Sequence, residues 1–158
     1  MRAEFINPFV SATHEVFSVM LNCQLTRGPL TMKRTSIPEY EISGLIGLSG
    51  KAQGMVVLSL GRETAVQATT VLLGHRPDGI TSDVVDAVGE LANMIAGSAK
   101  AKLEAYEMSV SLPSVICGKN HSVSFPSQTI PIVIPFESDI GPICIDVGLV
   151  EVPVPAMA

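Results

Sequence analysis

Between Thr81 and Tyr106 the chain reads TSDVVDAVGELANMIAGSAKAKLEAY, a stretch with one helical period and no proline. On a wheel at ~100° per residue, with Glu90 as reference, Asp83, Asp86, Asn93, Gly97, Lys100 and Glu104 fall within about 80°. Val84, Val85, Val88, Leu91, Ala92, Ile95, Ala99 and Leu103 fall on the opposite side. A long helix over about 82–106, with Thr81, Ser82 or Asp83 as its cap, must bury that aliphatic side against an extended apolar surface. The rest of the chain offers such a surface as short runs set off by glycine and proline: Leu30–Thr35, Glu41–Leu48, Met55–Leu60, Met108–Ile116, Thr129–Phe136 and Ile143–Val152. These read as strands, with Gly50 and Gly54 bracketing a hairpin turn. A first helix opens at Asn7 or Pro8, on the spacing of Phe9, Ala12, Val16, Phe17, Met20 and Leu21, and its pattern fails near Arg27-Gly28-Pro29. A second, Glu63 to Leu73, ends at Gly74. The resulting fold class is α+β: a mostly antiparallel sheet flanked by helices.

No linker or repeat divides the 158 residues, so residues 1–158 form one domain. Apolar residues make up 47% and aromatic ones 4%, with no tryptophan, which calls for an aliphatic core. The apolar runs are far short of the ~20 residues that span a bilayer, so no membrane role is expected. Ten basic residues against fifteen acidic ones, scattered along the chain, also speak against nucleic acid as a partner. Cys23, Cys117 and Cys144 are odd in number and widely spaced, as free buried thiols would be. The N-terminal stretch has no apolar signal region, so the expected location is cytoplasmic.

Several chemical signatures fail on inspection. Gly44 to Gly50-Lys51 lacks both the glycine spacing of a phosphate loop and its magnesium-binding Ser/Thr, since Ala52 follows the lysine. Cys117 and His121 would make half a metal site, but no second Cys/His pair completes it, so no metal of its own is expected. No nucleophile elbow is present, and no Ser/His/Asp set stands out.

The polar stripe of the long helix is more informative than an ordinary wet face. Three acids crowd its N-terminal half, where the helix dipole offsets only part of their repulsion. Gly97, one turn beyond Asn93, costs the helix ~1 kcal/mol relative to alanine and would let a partner's backbone come close. Met94 lands on the polar side, where an adaptable apolar residue suits docking. Asparagine is a poor base, but its carboxamide can accept from a water and donate to a phosphoryl oxygen. It can thus orient an in-line attack on a phosphorus whose metal lies elsewhere. Glu90, on the same face, can grip a partner's lysine.

The pattern Asp86-x3-Glu90-x2-Asn93, continued as Met94-Ile95-Ala96-Gly97-Ser98-Ala99-Lys100, resembles the CheC/CheX/FliY phosphatases, CheX most of all. The later segment Ser111-Leu112-Pro113-Ser114-Val115-Ile116-Cys117-Gly118 adds to the likeness, which covers roughly residues 5–150. The resemblance implies dephosphorylation of a phospho-aspartyl CheY-like response regulator in chemotaxis. Carried over, Asn93 positions the hydrolytic water and Glu90 binds the regulator's active-site lysine. Asp86 supports the interface, with Asp83, Gly97 and Lys100 beside it. Magnesium belongs to the regulator, and the chain needs no cofactor of its own. Pro113 resembles the family's trailing proline, at a shorter spacing. CheC carries two such Glu-x-x-Asn motifs and this chain one, which favours a CheX-like homodimer joined through sheet edges, with Thr129–Phe136 and Ile143–Val152 suited to the pairing. The alternative is a non-catalytic module that binds or sequesters a phosphorylated regulator or joins a flagellar assembly.

Overall fold

The computed structural model describes residues 2–126 and 128–155. In chain order it contains α1 (Ala3–Leu21), β1 (Thr26–Arg27), β2 (Thr31–Met32), β3 (Ile42–Ser49), β4 (Ala52–Leu60), α2 (Arg62–Leu73) and α3 (Ser82–Lys102). A 3₁₀ turn (Glu104–Tyr106), β5 (Ser109–Val110), β6 (Ser114–Cys117), β7 (Ile132–Glu137) and β8 (Ile143–Glu151) follow. The strands form one eight-stranded sheet in the order β1-β7-β8-β4-β3-β5, with β2 also on β7 and β6 also on β3. Every pairing is antiparallel. This is the α+β, mostly antiparallel architecture expected from the sequence.

Strand side chains alternate between faces, so the register assigns each residue a side. One face carries Ile42, Ile46 and Leu48 of β3, Val56, Leu58 and Leu60 of β4, and Ile143, Ile145, Val147 and Leu149 of β8, all buried. The helices cover it. A methyl group at Gly44 would stand 3.0 Å from the Ala92 Cβ and 3.3 Å from the Val88 carbonyl oxygen, so α3 lies almost directly on β3 there. Ring contact between His14 and Phe136, centroids 5.4 Å apart, sets α1 over β7.

The other face is built differently. Ser43, Ser59, Cys144 and Asp146 are buried there beneath two loops, residues 33–41 and, among the described residues, 118–126 with 128–131. Each loop is tied down by polar contacts. Lys33 Nζ lies 2.7 Å from Asp146 Oδ2, the Tyr40 amide donates to Ser59 Oγ at 2.8 Å, and His121 Nε2 lies 2.8 Å from Ser43 Oγ. His121 Nδ1 is 2.7 Å from the Gly118 carbonyl oxygen, which can only accept. Nδ1 therefore carries a proton, and in the neutral ring Nε2 accepts from the serine hydroxyl. Burial, together with neighbouring Asp146, pushes the Cys144 thiol well above the usual range.

Several element boundaries differ from the sequence expectation, each for a physical reason. Helix α1 begins at Ala3 and holds Pro8 inside it rather than opening there. Its first turn is anchored by Phe5 and Ile6 in the core and by Arg2 bridging Glu4 and Glu151, which outweighs one lost backbone bond. It ends at Leu21, well before Arg27, on a left-handed Asn22. Helix α3 stops at Lys102 instead of running to Tyr106. The chain turns there so that Tyr106 meets Phe5 edge-on, 5.0 Å between centroids, and donates to Glu4. The stretch Leu30–Thr35 yields only the two-residue β2: the Lys33 amide still donates to the Pro131 carbonyl at 2.8 Å, but Pro131 has no amide to return a bond. The hairpin turns at Gly50-Lys51, with Gly54 inside β4, where any side chain would collide with the Gly148 carbonyl. Met108–Ile116 is two strands, not one. Of the thiols, Cys23 and Cys144 are buried, but Cys117 is exposed, since β6 lies at the sheet's edge.

The strands suggested for edge pairing are also misplaced. β8 lies between β4 and β7, and β7 is flanked by β8 on one side and by β1 and β2 on the other. Their backbone bonds are already spent within the chain. The outer strands are β1 and β2 at one end of the sheet and β5 and β6 at the other.

Candidate functional site

Helix α3 is where sequence pattern and structure agree most closely. Val84, Val88, Leu91, Ala92, Ile95 and Ala99 are buried against the sheet and α1. Turned away from them, Asp83, Asp86, Glu90 and Lys100 are exposed, and Asn93 and Gly97 are half-exposed. The structure thus brings all six sequence-chosen residues onto one accessible helix face. Met94 departs from the reading: it is half-buried and packs against the core rather than standing clear. A wheel cannot show this, since it takes no account of α1 closing over that flank.

Helix α1 runs antiparallel to α3 along that flank. Glu4 meets Tyr106, and Glu15 meets Ser98 at 3.4 Å and Lys102 at 3.1 Å. On the other flank lies the β5–β6 connection. A methyl group at Gly89 would stand 3.3 Å from Val115 Cγ2 and 3.6 Å from Pro113, so that segment packs closely on the helix at this glycine. Pro113, for which sequence alone gave no structural role, therefore supports the helix one residue before Glu90. At Gly97 a methyl group would meet nothing within 4 Å, so this chain's own packing does not require the glycine.

Among the described residues, the side chains of Asp83, Asp86, Glu90, Asn93 and Lys100 make no hydrogen bond or ion pair. Charges elsewhere are committed within the fold, as in Glu15–Lys102, Lys51–Glu107 and the Arg76–Glu63 pair, which holds the Glu63 carboxyl below its usual range. The stripe offers three carboxylates, one carboxamide and one ammonium group, on a rigid helix, to whatever approaches. Among the described residues no group of three His, Cys, Asp or Glu side chains gathers to hold a metal ion. No helix among them is long and apolar enough to cross a membrane. A concavity of about 660 Å³ lies between the start of α2 and the Arg76–Gly79 loop.

The structure is thus an α+β domain that presents an unbonded Glu-x-x-Asn on the outer face of a sheet-backed helix. The family model described as chemotaxis phosphatase CheX matches residues 42–137, and the chain belongs to that family. It is 27% identical over 124 residues to the CheY-P phosphatase CheX of Thermotoga maritima, covering 76% of this chain and 79% of the relative. A CheC-like superfamily protein from Shewanella sp. PV-4 superposes with a TM-score of 0.87 at 33% identity, covering 95% of this chain and 99% of the other. The CheX chain in a CheX–CheY–BeF3–Mg2+ complex from Borrelia burgdorferi shares the fold, with a TM-score of 0.81 at 24% identity, over 95% of this chain and 100% of the other.

Proposed function

We propose that this chain dephosphorylates a phospho-aspartyl CheY-like response regulator by inserting the Glu90/Asn93 face of α3 into the regulator's active site. The observation that carries the reading is the pair itself: two side chains one helical turn apart, unbonded and accessible, on a helix held from behind by the sheet. Phosphoryl transfer passes through a loose transition state, so catalysis depends on placing the nucleophile and balancing charge rather than on covalent help. The Asn93 carbonyl oxygen accepts from the attacking water and holds its lone pair toward phosphorus. The amide N–H donates to a phosphoryl oxygen and holds the phosphoryl group in place, while charge grows on the departing aspartyl oxygen. Water oxygen bonds to phosphorus, the aspartyl carboxylate leaves, and inorganic phosphate departs. Glu90 pairs with the regulator's active-site lysine and fixes the register that puts Asn93 in line. Asp83, Asp86 and Lys100 border the contact, and Gly97 leaves room for the partner's backbone. Magnesium is the regulator's, and this chain contributes no cofactor. A homodimer joined through an outer sheet strand would carry one such site per subunit.

The test is the decay of a phosphorylated CheY-like regulator from the same genome, alone, with the native chain, and with Asn93→Ala. Acceleration by the native chain, reduced at least ~100-fold in Asn93→Ala while binding persists, is the expected result. Substantial activity in Asn93→Ala would remove the water-positioning role. Binding without any acceleration by the native chain would instead identify a sequestering module.

A further inference from the structure

The segment between β5 and β6 contains a structural irregularity beside the Glu90/Asn93 face. Val110 pairs with Leu48, and Ser114 pairs with Leu45. Three residues, Ser111, Leu112 and Pro113, therefore stand opposite two, Ile46 and Gly47: a β-bulge with one extra residue. Ser111 stays in the ladder. Its amide donates to the Gly47 carbonyl at 2.9 Å, and its hydroxyl accepts from the Gly47 amide at 2.8 Å. Pro113 turns to the helix side and packs at Gly89. Leu112 is the residue squeezed out. It is 88% exposed, although it sits between two fixed neighbours.

An exposed leucine is unremarkable on a floppy loop, but this one is held. The Ser111 hydroxyl also donates to the Leu112 carbonyl at 3.0 Å, so the bulge is pinned on both sides. Its position relative to α3 is set by the Pro113 contact. Gly89 precedes Glu90, and its helical neighbours three back and four on are Asp86 and Asn93. Leu112 therefore stands on the Asp86–Asn93 flank of the polar stripe, an apolar shoulder fixed beside a charged track. It touches nothing that would stabilise its own fold.

We infer that Leu112 is a docking and specificity residue for the same response regulator, an apolar contact seated just outside the regulator's phosphorylation site while Glu90 and Asn93 enter it. The inference rests on the phosphatase reading, because continuity with the Glu90/Asn93 face is what names the occupant. The experiment titrates the native chain, Leu112→Asp, Leu112→Ala and the control Leu30→Asp, at the opposite end of the sheet, against the beryllofluoride- and magnesium-loaded regulator. Decay kinetics and sedimentation are measured in parallel. Leu112→Asp should raise Kd and KM about tenfold, and Leu112→Ala a few-fold, with kcat and thermal midpoint unchanged and Leu30→Asp like the native chain. An unaltered Kd in Leu112→Asp would overturn the inference. So would a loss of self-association in that variant, since a second copy of the chain would then be what covers Leu112. If the native chain binds without accelerating decay, the catalytic reading fails but the Kd comparison still decides the role of Leu112. If it does not bind at all, both fall.

Discussion

On one side of the sheet Ile42, Ile46, Val56, Leu58, Ile145 and Val147 meet the helices with hydrocarbon, while on the other Ser43, Ser59 and Asp146 meet two loops with polar atoms. Both surfaces are buried equally well. Hydrocarbon contact is non-directional, so the helix side gains by area and tolerates small adjustments in shape. A buried charge or hydroxyl is stabilising only with its partner in place, so the loop side depends on particular pairs. The candidate site stands on the outer surface of the hydrocarbon-backed layer. The loop side keeps the sheet covered and contributes no residue to α3.

The largest expected effect is on the loop side. Asp146→Ala leaves Lys33 buried without a counter-charge and should cost ~3–5 kcal/mol of unfolding free energy in a denaturant titration. Replacing both partners, Lys33→Met with Asp146→Leu, should restore most of that. A single variant as stable as the native chain would show that the two faces do not differ as described. On the helix side Ile95→Ala should cost ~2–5 kcal/mol, and Ile95→Val ~1 kcal/mol, the graded response of apolar packing. A smaller loss, ~1 kcal/mol, is expected for Ser43→Ala, which leaves His121 Nε2 without its donor. Hydrogen exchange in that variant should rise in residues 118–131 and not in α3; a change spread across both layers would argue that they are coupled.

The exposed face of α3 was legible in the sequence because a helical period survives tertiary packing. Glu90, Asn93, Asp86 and Gly97 share a face by rotation alone, and the buried Val88, Leu91 and Ile95 confirm which face turns inward. Features that depend on a distant partner were not legible. Pro8 signals a helix start locally, and only Phe5 in the core and the Arg2 bridges move that start back to Ala3. Thr129–Phe136 and Ile143–Val152 look like possible edges because an aliphatic strand reads the same in the middle of a sheet as at its rim. The bulge at Leu112 was hidden for a related reason: the extra residue is visible only in the register of a partner strand some sixty positions earlier in the chain. The glycine at 89 is the one local clue, a helix-interior glycine on a flank where the wheel asked for nothing.

Arg2 reaches across to Glu151, and both lie beside Tyr106, at the far end of the long helix from its acidic half. Asn93 lies about 13 Å along that helix from its end at Lys102. A fluorophore or tether attached by way of either residue would emerge beyond the C-terminal end of α3, past the turn that carries Asn93.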